Sequence, residues 1–181
     1  MKKNLPGSNA TSQYLQELLR VNHAGEYGAK RIYAGQLSVL KGSREESSIR
    51  HMAEQEEEHL AYFSQKLQEK GVRPTLMHPL WHIGGFALGA FSALIGPQAA
   101  MACTVAVEEV IDEHYQEQLE RLKENDGEKD LRTAIEKFRA DELEHRDTGL
   151  EAGAENMPAY PIFSALVKTV CKTAIHLSKK L

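Results

Sequence analysis

Apolar residues recur every three or four positions along most of the chain, a spacing that is typical of amphipathic α-helices. The pattern predicts four core helices, at about 12–41, 44–70, 98–124 and 128–153. Breaks rich in glycine and polar residues separate them, so we expect two antiparallel helical hairpins, the second turning at Asn125-Asp126-Gly127. Neither a β-alternating run nor a G-x-G-x-x-G motif after a strand is present. The predicted fold is therefore all-α, without a dinucleotide domain of its own.

Three glycines, Gly25, Gly28 and Gly35, lie inside the first predicted helix. Each costs roughly 1 kcal/mol relative to alanine in a helix interior. We therefore expect a neighbouring element to approach the helix backbone closely at these positions.

Two further segments are strongly apolar, at about 79–96 and 161–181. From Pro79 to Val107 the chain contains no Asp, Glu, Lys or Arg, and Gly96-Pro97 divides this stretch. The piece before the division is shorter than the ~20 residues that cross a bilayer. The second segment predicts an amphipathic helix whose lysines lie off the apolar face or at its end: Lys168, Lys172, Lys179 and Lys180. The pattern leaves open whether these segments meet a membrane, the bundle core or a second subunit.

Composition narrows the class of protein. The chain has 181 residues, 41% hydrophobic and 27% charged, which suits a single folded domain over 1–181. A formal net charge of -4 makes nucleic acid an unexpected partner. Two cysteines without C-x-x-C pairing, Cys103 and Cys171, argue against a disulfide scaffold and favour a reducing compartment. No apolar signal segment follows Met1, so we expect a cytoplasmic or already mature chain.

Two Glu-x-x-His motifs stand out, one from Glu56 to His59 and one from Glu142 to His145. A spacing of three residues stacks a carboxylate and an imidazole on one helix face, where both can reach the same metal ion. A single copy is weak evidence, because a solvated charged helix face gives the same pattern.

The duplication of the motif makes it stronger evidence for a metal site. Glu26 lies 30 residues before Glu56, and Glu108 lies 34 residues before Glu142, so each hairpin carries one glutamate and then one motif. Both single glutamates have apolar or small neighbours, where a buried carboxylate without a counter-charge is costly. Each also has a tyrosine seven residues later, two turns along nearly the same face. The chain is therefore an internal repeat around charged groups.

One glutamate from each of two helices plus Glu-x-x-His from each of two others is the ligand set of ferritin-like dimetal bundles. The repeat predicts such a site from six residues: Glu26, Glu56, His59, Glu108, Glu142 and His145. Four carboxylates and two imidazoles suit divalent iron or manganese and leave positions for oxygen. A merely structural charged core is the alternative, and zinc hydrolysis is disfavoured because one zinc ion does not need six ligands.

Three sequence motifs resemble those of the demethoxyubiquinone hydroxylase family of ubiquinone biosynthesis: RVNHAGEYGA at 20–29, MACTVAVEE at 101–109 and ELEHRD at 142–147. The resemblance runs from about Tyr14 to Leu181. It implies a ferritin-like four-helix bundle in which the same six residues hold two iron ions. The spacing alone puts His114 off the ligand face, but the His114-Tyr115 pair matches a family pair close to the di-iron site, which implies a catalytic role for both.

The resemblance also implies a function. The expected activity is that of a monooxygenase that uses molecular oxygen to hydroxylate the ring of a demethoxyquinol with a polyprenyl tail, with electrons from NADH or from the quinol itself. A substrate so poorly soluble in water suggests that segments 79–96 and 161–181 form an apolar entrance on a membrane surface. The expected location is peripheral, on the cytoplasmic face of a bacterial inner membrane or the matrix face of the mitochondrial one.

Two other classes of function remain to be separated from this one. An iron-storage or ferroxidase protein of the ferritin class would share the ligands, and a metal-stabilised interaction module would share them without turnover. The sequence also leaves open a homo-oligomer and an accessory lipid-binding protein as partners.

Overall fold

A computed structural model describes residues 12–122 and 128–180 of the chain, all but the side chain of Lys180 in detail. The described residues form six α-helices and one short 3-10 turn at Ala154–Asn156, and no strand. The helices are α1 (Gln13–Val39), α2 (Glu46–Lys70), α3 (His78–Ile95), α4 (Pro97–Leu122), α5 (Lys129–Glu151) and α6 (Tyr160–Lys180). The predicted all-α class is confirmed. The expected turn at Asn125-Asp126-Gly127 and the segment before Ser12 lie outside the described residues.

Local chemistry explains where several helices begin and end. The Ser12 hydroxyl caps α1 by accepting a hydrogen bond from the Leu15 backbone N–H at 3.2 Å. Gly71 ends α2 in the left-handed conformation, with φ 64°. Gly96 has φ 147°, a value that requires glycine, and Pro97 is the first residue of α4. The apolar segment that precedes this break is itself a helix, α3.

Helices α1, α2, α4 and α5 form the bundle, and α4 is its most central element. Ten consecutive α4 residues, from Ala99 to Glu108, are buried, which is the pattern of a helix surrounded on all sides. Helices α1 and α4 are antiparallel, since Asn22 contacts Gln118 while Gln36 contacts Ala100. Two apolar layers fill the bundle, one with Leu19 and Phe63 and the other with Met52 and Met101.

Helix α3 lies directly against α1, and glycines make this contact. A Cβ atom at Gly35 would collide with the backbone of Phe86 and Ala90, and one at Gly89 would collide with the backbone of Ile32. The expected close approach is therefore confirmed at Gly35. It is wrong at Gly25, where a Cβ atom would meet nothing within 4 Å and the residue borders a cavity. A Cβ atom at Gly28 would also meet nothing, but one at Gly85 of α3 would lie 2.9 Å from the Gly28 carbonyl oxygen, so α3 does approach the α1 backbone there.

The outer faces of α3 and α6 expose large apolar side chains. Helix α3 buries only Gly89, Ser92 and Ala93. The side chains that remain exposed by about half or more are Leu80, Ile83, Phe91, Leu94 and Ile95 on α3 and Ile162, Leu166 and Val170 on α6. Within residues 12–122 and 128–180, no helix is both long enough and apolar enough to cross a bilayer. These two helices thus cover one side of the bundle and leave apolar surface outside.

Candidate metal centre

The six residues predicted as ligands meet at the centre of the bundle, and each is at most 1% exposed. Helices α1 and α4 contribute one glutamate each, and α2 and α5 contribute one Glu-x-x-His motif each. Along all four helices the cluster lies between the two apolar layers, so its charges are separated from water by packed side chains. The structure therefore brings together all six residues that the repeat singled out: Glu26, Glu56, His59, Glu108, Glu142 and His145.

The donor atoms of the cluster divide into two overlapping sets of four. The α1 position consists of Glu26, Glu56, His59 and Glu142, and the α4 position consists of Glu56, Glu108, Glu142 and His145. Within each set the donor atoms lie within 4.8 Å of one another. Glu56 and Glu142 belong to both sets. Two cations held by these sets would therefore share the carboxylates of Glu56 and Glu142.

Glu142 shows the bridging geometry most directly. Its Oε1 lies 3.2 Å from Nδ1 of His59, and its Oε2 lies 3.2 Å from Nδ1 of His145. Each oxygen of this one carboxylate thus faces a different metal position.

Several buried polar atoms of the cluster lack a hydrogen-bond partner among the described residues. They are Oε2 of Glu26 and Glu108, both carboxylate oxygens of Glu56 and Glu142, and Nδ1 of His59 and His145. A buried polar atom without a partner costs roughly 1–3 kcal/mol, and more when it is charged. These are eight donors, four for each of two cations, and their carboxylate and imidazole chemistry suits iron or manganese. The residues present therefore fit a dimetal centre.

The pKa values of the cluster residues also favour the binding of cations. Burial, reinforced by the nearby Glu142 carboxylate, raises the pKa of Glu56 and of Glu108 well above the ordinary value. Burial opposes protonation of His59, but the carboxylates of Glu142 and Glu26 outweigh it and raise the pKa of the imidazole to about 11. Without metal, protons have to balance the clustered carboxylates. Bound cations would replace those protons.

The outer nitrogen of each histidine donates a hydrogen bond away from the cluster. Nε2 of His59 donates to Oδ2 of Asp141 at 3.0 Å, and Nε2 of His145 donates to Oε1 of Gln55 at 3.0 Å. The carboxylate oxygen of Asp141 and the amide oxygen of Gln55 can only accept hydrogen bonds, so each Nε2 carries a proton and each Nδ1 is directed at the cluster. Such partners fix the orientation of a ligating imidazole. Sequence reasoning missed Asp141 and Gln55, although each immediately precedes a motif glutamate.

The two tyrosines of the repeat exchange partners across the bundle. Tyr33 donates a hydrogen bond to Oε1 of Glu108 at 2.5 Å, and Tyr115 donates one to Oε1 of Glu26. Each phenol therefore holds the glutamate of the other repeat, because α1 and α4 are antiparallel. Burial, together with the adjacent glutamate, raises the pKa of both phenols well above the ordinary value, so they act as donors.

A second layer of the repeat was also missed from sequence. Asn22 and Gln118 exchange two hydrogen bonds, of 2.9 and 2.7 Å, between α1 and α4. At the other end of the cluster Gln36 donates to Thr104 Oγ1 at 3.3 Å. Asn22 and Thr104 both lie four residues before a single glutamate, and Gln36 and Gln118 both lie three residues after a tyrosine. These equal offsets were the available signal.

Tyr115 and His114, the residues expected to be catalytic, lie at different depths. Tyr115 contacts the cluster through Glu26. His114 lies beyond it, where its Nε2 accepts a hydrogen bond from Gln118 Nε2 at 2.7 Å. Burial, with smaller effects from Lys179 and Arg121, lowers the pKa of His114 to about 4. A catalytic role for either residue stays a prediction.

An apolar cavity of about 290 Å³ lies on one side of the bundle, and none of the six cluster residues belongs to its wall. Helices α1, α3, α4 and α6 line it, and no residue of α2 or α5 does so. Gly25, directly before Glu26, and Val107, directly before Glu108, belong to its wall. Trp81 on α3 donates a hydrogen bond to Ser178 on α6 at 3.0 Å, which joins the two covering helices over the cavity.

Comparison with known proteins agrees with this arrangement. The family model described as "Ubiquinone biosynthesis protein COQ7" matches residues 13–178. A Dictyostelium discoideum protein named "NADPH-dependent 3-demethoxyubiquinone 3-hydroxylase, mitochondrial" is 53% identical over 93% of this chain and 78% of its own. A Homo sapiens protein of the same name is 47% identical over 96% and 81%. The "3-demethoxyubiquinol 3-hydroxylase" of Rhodospirillum rubrum is 49% identical over 97% and 82%. The chain belongs to the COQ7 family of ubiquinone biosynthesis proteins.

Proposed function

We propose that this chain acts, as a single domain, as a di-iron monooxygenase that hydroxylates the ring of demethoxyubiquinol in ubiquinone biosynthesis. The observation that carries the proposal is the pair of four-donor sets sharing two buried carboxylates, together with an apolar cavity whose wall includes the residues directly before Glu26 and Glu108. The names of the relatives support the substrate and the reaction. No observation favours the iron-storage alternative.

The six cluster residues would hold the two iron ions. When bound, the ions supply the redox chemistry that places one atom of molecular oxygen in the ring and reduces the other to water. The protein's own groups orient the ligands. Asp141 and Gln55 turn the imidazoles toward the ions, and the phenols of Tyr33 and Tyr115 hold one oxygen of each unshared glutamate so that the other can bind metal.

We further propose that the apolar cavity receives the quinol ring. Its volume of about 290 Å³ lies near the lower end of the range for small-molecule sites, so the long tail would extend beyond it. The wall is formed almost wholly by aliphatic and glycine residues, which excludes water from the reacting ring. Two electrons are required as well; the names of several relatives specify NADPH, so we propose a reduced nicotinamide, with the quinol itself as the alternative.

The exposed apolar faces of α3 and α6 support peripheral binding to a membrane. We propose the cytoplasmic face of a bacterial inner membrane, or the matrix face for an organellar chain, as the surface. Lys168 pairs with Glu109 at 2.6 Å and Lys172 with Glu113 at 2.8 Å, so each of these lysines has an acidic partner on α4. Binding should therefore depend on apolar contact more than on anionic lipid, contrary to what the basic helix alone suggests.

The activity is tested with the full-length, iron-loaded chain, a short-tailed demethoxyquinol, a reductant and isotopically labelled oxygen gas. We expect a product with one labelled oxygen on the ring by mass spectrometry. Glu56→Gln should abolish it, whereas Glu57→Gln, an exposed neighbour, should not. An unlabelled product, or assembly into a large shell that stores many irons per chain, would contradict the proposal.

Membrane binding is tested by co-sedimentation with phosphatidylcholine vesicles, with and without added anionic lipid. Burying one large aliphatic side chain contributes about 1.5–3 kcal/mol. Replacing the exposed Ile83 by glutamate should therefore weaken binding by about tenfold or more. The control Ala61→Glu adds the same charge to the exposed face of α2 and should bind like the unmodified chain. Equal loss in both variants would refute the assignment of the α3 face.

A further inference from the structure

The two metal positions have closely matched surroundings. Each contains three carboxylates and one imidazole, and each shares Glu56 and Glu142 with the other. The unshared glutamate of each position accepts a hydrogen bond from one buried tyrosine. The ligands themselves therefore give neither position an advantage in charge.

The matched pair differs in the group behind the histidine. At the α1 position, Nε2 of His59 donates to the carboxylate of Asp141; at the α4 position, Nε2 of His145 donates to the neutral amide of Gln55. Both distances are 3.0 Å, so the two contacts differ in the charge of the acceptor and not in length. A carboxylate withdraws the Nε2 proton more strongly than an amide does, which makes the opposite nitrogen, Nδ1, a better electron donor.

We propose that the two metal positions are inequivalent and that the first divalent ion binds at the α1 position, because Asp141 strengthens His59 as a ligand. This rests on the dimetal centre of the proposed function. Replacing a hydrogen-bonding partner of a metal-bound histidine changes metal affinity by about 10–100-fold. Asp141 and Gln55 act here as positioning residues, through the histidines that they contact.

Mn²⁺ tests the proposal independently of catalysis. The full-length chain is depleted of metal and crystallised with one equivalent of Mn²⁺, and anomalous scattering at the manganese edge gives the occupancy of each position. We expect the α1 position to be filled about tenfold or more in excess of the α4 position. Titration calorimetry of the same protein gives the two binding steps in solution.

Exchange of the two partners provides the decisive variants. Asp141→Asn should bring the two occupancies close together by weakening the α1 position, and Gln55→Glu should do so by strengthening the α4 position. The double variant with both changes should reverse the preference, a result that general damage to the bundle would not produce. Should a variant fail to fold, the occupancies in the unmodified chain still decide the matter.

Equal filling of both positions in the unmodified chain, or filling of the α4 position first, would overturn the proposal. So would a preference that survives the double exchange. These outcomes leave the dimetal centre standing. Absence of Mn²⁺ from both positions would instead overturn the centre itself, and the inference with it.

Discussion

The strongest test of the bridged geometry compares a shared glutamate with an unshared one. Glu56 belongs to both donor sets, whereas Glu26 belongs only to the α1 position. Glu56→Gln keeps the size of the side chain and removes one anionic donor from both positions. Glu26→Gln removes one donor from the α1 position alone. We therefore expect Glu56→Gln to abolish binding of both ions and Glu26→Gln to abolish binding of one.

The size of the effect follows from linkage. An ion present at 100 times its dissociation constant stabilises the folded chain by about 2.7 kcal/mol, and two ions by about 5 kcal/mol. For a chain of this size each kcal/mol raises Tm by about 2–4 °C. Mn²⁺ should thus raise the Tm of the unmodified chain by about 10–20 °C, that of Glu26→Gln by about half as much, and that of Glu56→Gln very little.

The stability of the metal-free proteins provides an independent test. Burial and the Glu142 carboxylate raise the pKa of Glu56, which means that its charged form is disfavoured there. A neutral glutamine should fit this environment better, so the metal-free Glu56→Gln variant should be at least as stable as the unmodified chain. The same substitution that removes metal binding should not damage the apo fold.

Thermal unfolding with and without Mn²⁺, together with calorimetric stoichiometry, measures both effects. Glu57→Gln is the matched control: Glu57 is exposed, pairs with Lys30 at the surface and should leave the metal-induced rise unchanged. The reasoning is refuted if Glu56→Gln keeps half or more of the rise, or if Glu26→Gln loses all of it.

Three further predictions concern the cavity, the helix contact and acid sensitivity. Gly28→Ala should raise the free energy of unfolding, measured in urea, by about 0.5–1 kcal/mol, since its Cβ atom meets nothing. Gly28→Leu should instead fill the cavity and raise KM for the quinol. An unchanged KM would count against the cavity as the site of the ring. Gly89→Ala should cost about 1–3 kcal/mol in the same assay, because its Cβ atom collides with the Ile32 backbone, and a neutral result would contradict the α1–α3 contact. Half-buried His114 has a pKa of about 4, against about 6.5 when unfolded, so it should cost stability as pH falls from about 6.5 to about 4. His114→Gln should reduce the slope of stability against pH by up to about 1.4 kcal/mol per pH unit, and an unaltered slope would rule out this source.

The six residues of the cluster could be found from sequence because helical spacing and internal duplication both act within a single helix or hairpin. Glu142 and His145 share a face whatever surrounds them. The hydrogen bonds between repeats could not be found in this way. That Tyr33 serves Glu108 depends on α1 and α4 being antiparallel, which the spacing within either helix does not encode.

Predictions about exposure were less secure because they depend on tertiary packing. The glycines of α1 carry the same helical cost in sequence, yet Gly35 meets α3 while Gly25 borders an open cavity. Likewise, Lys168 and Lys172 look like a basic membrane-facing set until α4 supplies carboxylates beside them. In each case the chemistry of the residue is known from the sequence, but its contacts depend on the neighbouring helix.

The two repeats differ in what covers them, and this difference bears on the proposed approach of the substrate. The two repeats build a nearly symmetrical cluster, but α3 and α6 cover only the side formed by α1 and α4. The opposite side presents the exposed charged residues of α2 and α5, such as Glu58 and Lys137, and the smaller pocket there, of about 210 Å³, is lined mainly by polar residues. A quinol ring that binds in the cavity, as proposed, would approach past α1 and α4, the helices that carry the two unshared glutamates, whereas the shared glutamates lie on α2 and α5.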